Sequence, residues 1–140
     1  MKRTAHEHQK AVIMLDPDDH GNSAPTGAII DTKGFEEVLI AWNLGVMAGT
    51  SIACKIQEGA ESDMSDAADI TGAAFTTVTT ANDNTVHVMR INLVGRMRYI
   101  QPAFTFTAVT QSKMGMLGVL SEARELPVTQ VNTAVNVDVV

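Results

Sequence analysis

Residues 58 to 69 read Glu-Gly-Ala-Glu-Ser-Asp-Met-Ser-Asp-Ala-Ala-Asp, which places five carboxylates, Glu58, Glu61, Asp63, Asp66 and Asp69, within twelve positions. Clustered carboxylates can hold a hard cation or work as an acid–base pair. An EF-hand loop, however, needs acids at alternate positions, a central glycine and a terminal glutamate, and this spacing lacks that frame. On a helical turn, Asp63, Asp66 and Asp69 would share one side and repel one another unless a cation bound. The stretch therefore reads as a solvated connection between two strands, with a weak cation site as the alternative.

The remaining reactive side chains are as easily explained by local structure. Asp16, Asp18, Asp19 and His20 lie in Asp-Pro-Asp-Asp-His-Gly, a run of ordinary turn chemistry. His6 and His8 flank Glu7 and could chelate a metal if extended, but they sit near a terminus. His87 falls inside an alternating segment and reads as a packed or surface histidine. Cys54 shares a strand face with Ile52 and Ile56, the setting of a buried structural thiol. Arg90, Arg96 and Arg98, with Tyr99 next in line, form a basic cluster of the kind that makes ion pairs or grips a protein partner. Nucleophile-elbow, phosphate-loop, dinucleotide and paired-histidine zinc motifs are all missing from the sequence. No catalytic, cofactor or metal residue is assigned, and no cofactor is expected.

The elements that would carry these residues are strands. Residues 11–15 and 28–31 are short apolar strand candidates, separated by a turn-rich loop from Asp16 to Pro25. Residues 35–46 fit a helical template through Phe35, Val38, Leu39 and Trp42. They also place Val38, Ile40, Trp42, Leu44 and Val46 in strict alternation, and the strand is the favoured reading. Ser51–Glu58 alternates, and residues 74–80 are rich in β-branched side chains. Residues 81–84 read as a turn, 85–93 as a strand and Gly95 as the next turn. Residues 98–109 alternate again, with Pro102 implying an edge or a bulge. Residues 114–121 are apolar. From Thr129 to Val139 the odd positions are Thr129, Val131, Thr133, Val135, Val137 and Val139, while the even ones are mostly polar. At about 3.3 Å per residue this segment would run about 36 Å, long for a strand. Such a strand either completes the domain's own sheet or adds to a neighbour's.

Eight or nine strands with short turns predict an all-β, antiparallel β-sandwich of jelly-roll type. The 140 residues suffice for one domain, divided into a polar arm (1–10), a sandwich (11–127) and the valine-rich strand (128–140). Hydrophobic residues make up 45% and aromatic residues 4%, so the core must rest on aliphatic, alanine and methionine side chains. The net charge of −6 argues against a nucleic-acid-binding surface. One cysteine allows no internal disulfide. The apolar run after the basic N-terminus is too short for a signal peptide, and nothing approaches the ~18 apolar residues of a membrane span. A cytosolic, unprocessed protein, or one assembled into something made in the cytosol, is the expectation.

Several segments carry a resemblance. Asp31-Thr-Lys-Gly-Phe35, Lys55-Ile-Gln-Glu58, Asp69-Ile-Thr-Gly-Ala73 with Phe75, Ala81-Asn-Asp-Asn84 and Gly95-Arg-Met-Arg-Tyr-Ile100 resemble tailed-bacteriophage capsid cement proteins, also described as head decoration or stabilisation proteins. The likeness covers about residues 28–120, and its motifs are strand-and-turn patterns with no catalytic signature. It implies a jelly-roll-like protein on the outer surface of a virion, binding the major capsid protein and itself as a homodimer or homotrimer, without turnover. In that setting the basic arm (Lys2, Arg3, Lys10) would meet an acidic shell surface, and Thr129, Val131, Val135, Val137 and Val139 would make an intersubunit contact. The alternatives are a tail-tube or head-completion component, a carbohydrate-binding sandwich, for which the chain offers few aromatic platforms, and an enzyme of unfamiliar type.

Overall fold

In the computed structural model, residues 5–125 are described. A single helical turn, α1 (Ala5–His8), precedes eight strands: β1 (Lys10–Asp19), β2 (Ile30–Asp31), β3 (Glu37–Ala48), β4 (Ser51–Gly59), β5 (Ala68–Ala74), β6 (Val86–Asn92), β7 (Tyr99–Thr107) and β8 (Gln111–Ser121). They form two four-stranded sheets, ordered β1-β8-β3-β6 and β2-β7-β4-β5, with every pairing antiparallel. The chain crosses from one sheet to the other at every connection except β4 to β5. This is the strand order of a jelly roll, and it bears out the fold expected from the alternating segments.

Alternation decided residues 35–46 in favour of a strand. Val38, Ile40 and Trp42 are fully buried in β3, and Leu44 is nearly so, while Leu39 and Asn43 point outward. The indole of Trp42 meets Phe75, Phe104 and His87 at ring-centroid distances of 5.4, 5.9 and 6.0 Å. Its Nε1–H donates to Met114 Sδ at 3.4 Å, so its polar atom is satisfied inside an apolar core. Around it pack the aliphatic and methionine side chains that the composition required, among them Met14, Ile52, Ile56, Ile100, Met116 and Leu120. Gly118 leaves the space that Met14 fills, for a Cβ there would lie 2.9 Å from the Met14 sulfur.

Four expectations need correction. Val46 does not share the buried face of β3. A register shift between Leu44 and Met47 inverts the alternation, burying Met47 and exposing Val46. The Met47 N–H then donates to Asp83 Oδ1 at 3.0 Å. Second, the chain does not leave the sheet at Asp16. β1 continues through two bulges to Asp19, which pairs with Lys113. Third, residues 74–80 are not a strand. β5 begins earlier, at Ala68, and beyond Ala74 one isolated bridge remains, Val78 to Ile52. β-Branched composition lost there to tertiary demands: Phe75 turns in against Trp42, and Thr79 caps a 3-10 turn at Thr80–Asn82. Fourth, Pro102 marks neither an edge nor a bulge: β7 keeps an unbroken register with β4, and on its other side the pairing with β2 gives way to Gly27 packed on Pro102 and an isolated bridge from Thr26 to Ala103.

Replacing Trp42 with alanine is expected to destabilise the domain by about 3–5 kcal/mol, because the cavity could not be refilled without moving both sheets. Equilibrium denaturation in urea measures this, and a loss below about 1 kcal/mol would contradict the central role of the indole.

Candidate docking face

The carboxylates of the acidic loop hold backbone. Asp66 accepts from the N–H groups of Ala60 (2.8 Å) and Glu61 (3.2 Å), and Asp63 accepts from Ser65 N–H at 2.9 Å. Asp69 accepts from Lys55 Nζ and Gln57 Nε2, both at 2.8 Å, tying β5 to β4. Glu58 accepts from Met97 N–H at 3.0 Å and pairs with Arg96. Met64 adopts a left-handed conformation (φ 58°) that brings its side chain under the loop and buries it. Asp63 and Asp66 thus sit in an irregular loop and Asp69 at the start of β5, so the three do not line one side of a helix. Their hydrogen bonds lower the pKa of each: from Ser65 for Asp63, from Ala60 and Glu61 for Asp66, and from Lys55 and Gln57 for Asp69.

The other polar candidates are similarly engaged. Asp19 accepts from the N–H groups of Gly21 (3.0 Å) and Ser112 (3.1 Å) and from Gln111 Nε2 (3.1 Å), and these bonds lower its pKa. His20 Nε2 lies 3.0 Å from the Asp16 carbonyl oxygen. Arg90 pairs with Glu37 at 2.7 Å, and Arg98 forks onto Asp31 at 2.9 and 2.7 Å while covering the Tyr99 ring at 5.1 Å. The basic cluster is therefore divided among three ion pairs. Cys54 is buried, and burial pushes its thiol up to about 12. His87 packs on Trp42 and lies 3.2 Å from Thr85 Oγ1. Among the described residues no three His, Cys, Asp or Glu side chains gather to hold a metal, and no helix is long and apolar enough to cross a membrane. Lys10 is half-buried at the start of β1, opposite Leu120. Lys2, Arg3, Thr129, Val131, Val135, Val137 and Val139 lie outside the described residues.

The feature that sequence reasoning missed is on the outer face of the β1-β8-β3-β6 sheet. The register aligns Ile13, Leu117, Ala41 and Val88 in one row across all four strands. The next row, on one side, is Ala11, Val119, Leu39 and Arg90; on the other, Gly115, Asn43 and Val86 are aligned. Ile13 and Leu117 are each 43% exposed, Leu39 is 40%, and Val86 and Val88 are each 57%. Beside the central row runs an open groove of about 450 Å³, lined by Ile13, Leu15, Pro17, Val86, Met116 and Leu117 among others. Scattered surface apolar residues need no explanation, but a row continuous over four strands is a patch of the kind that marks a docking surface. Covering each half-exposed side chain would contribute on the order of 1 kcal/mol. The signal was present in β6, where Val86 and Val88 alternate with Met89 and Ile91 so that both faces are apolar. Only the pairing register shows that Leu117 and Ile13 continue the row.

No family model and no curated protein matches the chain. Among solved structures, the SPBc2 prophage-derived protein YomS is similar at 13% identity and a TM-score of 0.49, covering 80% of this chain and 91% of that one. A chain from a structure of Bacillus endospore appendages, described as disulfide-linked pili, is similar at 18% identity and a TM-score of 0.41, covering 86% and 96%. Both likenesses are distant, and the fold assignment rests on the strand order itself.

Two outcomes test this account. The native Cys54 thiol is expected to resist a thiol reagent that labels it readily after denaturation; fast native labelling would contradict its burial. Asp19 and Asp66 have pKa values depressed below 3.8, so their contribution is complete above that pH and is lost as pH falls through the depressed values. The melting temperature should therefore drop as the pH falls below the ordinary carboxylate range, and an Asp19→Asn/Asp66→Asn variant should show a shallower drop. Equal slopes would show that these carboxylates do not couple folding to pH.

Proposed function

We propose that this chain is a capsid cement protein, a non-catalytic structural component that binds the outside of a phage shell and bridges neighbouring major capsid subunits. The observation that carries the reading is the apolar row Ile13–Leu117–Ala41–Val88 on one face of a stiff jelly roll. A face of that kind suits broad, flat contact with another protein. Polar groups that could have formed a reaction centre are instead engaged in turns, ion pairs and strand ties. The jelly roll also serves viral capsid proteins, lectins and cupins, so fold alone leaves the function open. The choice among them draws on the cement-protein resemblance of residues 28–120. A cement role needs modest affinity per site, because contacts repeated over a shell reinforce one another. In this reading the basic arm, Lys2, Arg3 and Lys10, meets acidic shell surface, and the protein works at the outer surface of the virion as a homo-oligomer.

Another virion component, such as a tail-tube or head-completion protein, would use the same scaffold. Copy number separates the two, since a cement protein stands in a small integer ratio to the shell protein. A carbohydrate-binding role is disfavoured by the aromatic residues: Trp42 is fully buried and Tyr99 lies beneath Arg98.

The test is binding to purified shells that lack the protein. An Ile13→Asp/Leu117→Asp variant is expected to lose about tenfold or more in affinity while melting normally, the tenfold corresponding to about 1.4 kcal/mol. Unchanged affinity would remove this face from the reading, and failure of the wild-type chain to bind any such shell would sink the cement role.

A further inference from the structure

We infer that the β6 edges of two copies of this chain pair antiparallel about a two-fold axis, joining two four-stranded sheets into one of eight strands. The inference stands on the sheet geometry and does not depend on the virion reading. Among the described residues the sheets have four edges, β1 and β6 in one, β2 and β5 in the other. Three of them are poor templates. β1 carries two bulges, Pro17 and the exposed acids Asp16, Asp18 and Asp19, all devices that discourage pairing. β2 is two residues long, and the register of β5 with β4 jumps from Asp69 to Ala74. β6 keeps an unbroken register with β3 over its seven residues and contains neither proline nor lysine.

The direction of its backbone groups follows from two bonds. Leu44 N–H donates to the Thr85 carbonyl, and Leu93 N–H donates to the Glu36 carbonyl. Odd residues of β6 therefore bond to β3, and the backbone groups of Val86, Val88, Arg90 and Asn92 point to the outer edge. A row of such groups calls for a strand, the one partner that satisfies them as a ladder. A copy of β6 turned end for end about Met89 satisfies all of them at once. Val88 then faces Arg90 of the second copy and Val86 faces its Asn92, each as a hydrogen-bonded pair. Counted from both copies these are four pairs exchanging two bonds each, about eight hydrogen bonds, against the roughly five to fifteen direct bonds of a typical protein interface.

The side chains agree with this register. Met89 meets Met89 of the second copy on the axis, where two partly buried, flexible side chains can fill the seam. His87 falls opposite Ile91 on the same, inner side. On the outer face Val88 meets the aliphatic stem of Arg90, so the row Ile13–Leu117–Ala41–Val88 runs on into Arg90, Leu39, Val119 and Ala11 of the second copy. No like charges stand directly opposite, and each Arg90 is held by Glu37 of its own β3 at 2.7 Å. Centring the axis on Val88 or Arg90 instead shortens the ladder, and the second choice also sets two guanidinium groups face to face. The sandwich is open along this flank, where a cleft of about 230 Å³, lined in part by Gly72, Ala73, Met89 and Ile91, separates β6 from β5. The contact uses the same patch on both copies, so it closes as a dimer.

Sedimentation of the full chain tests the interface, and disulfide trapping tests its register. The wild-type chain should sediment at twice the mass of its 15.0 kDa subunit. Val88→Pro removes an edge-facing N–H while leaving the bonds to β3 in place, and should sediment as a monomer that still melts cooperatively. Met89→Cys sets two thiols across the axis at a separation that a disulfide spans, and should give a covalent dimer under mild oxidation with glutathione disulfide. Val88→Cys leaves its two sulfurs on diagonal positions, too far apart to bond, and should link about tenfold more slowly or less. The buried Cys54 is common to all these proteins. A monomeric wild type, a Val88→Pro protein that still dimerises, or equal linking rates at positions 88 and 89 would each overturn the inference. A monomer whose Val86, Val88, Arg90 and Asn92 amides resist hydrogen exchange would assign the edge to another segment of the same chain, and would equally overturn it.

Discussion

The structure depends on one strand and one side chain. β3 runs between β8 and β6, and Trp42 at its middle is the largest fully buried side chain. The indole spans the gap between the layers, meeting Phe104 from the opposite sheet and Phe75 from the connection after β5. In a chain with so few aromatic residues, these contacts fix the separation of the two sheets. Methionine and isoleucine side chains, which adapt to irregular gaps, then fill the space around them. Phe75 lies on the same side as the buried Ala73 of β5, and its N–H still donates to the Cys54 carbonyl of β4 at 2.9 Å.

Polar chemistry in this protein is largely structural. Asp19 and Asp66 fold back onto N–H groups that turns leave without ladder partners, and Asp69 and Glu58 join neighbouring segments. Each carboxylate meets two or more donors, which accounts for the depressed titration of the aspartates. The stretch from Glu58 to Asp69 is thus a fastening for β4 and β5.

The two faces of the β1-β8-β3-β6 sheet are apolar to different degrees and for different reasons. The inner face is close-packed. The outer face carries a continuous row of side chains that stay partly exposed among the described residues. An antiparallel sheet normally turns a polar face to water. The departure from that pattern is the observation on which the proposed docking role rests.

Much of the fold was legible because alternation with period two depends only on side-chain direction along a strand. β3, β4 and β7 followed from it, as did the burial of Trp42 and Cys54. The errors arose where pairing overrode local pattern. Val46 changed faces at a bulge, β1 ran on through Pro17, and residues 75–80 left the sheet despite their β-branched composition. The candidate face was not legible. Val86 and Val88 could be seen to alternate with Met89 and Ile91, but Ile13, Ala41 and Leu117 are distant in sequence and meet only through register. Residue order along one chain determines which side of a strand each side chain occupies. Which strands become neighbours, and so which outward side chains merge into a surface, is decided by hydrogen bonding between segments remote in the chain. That information exists only once the sheets have formed.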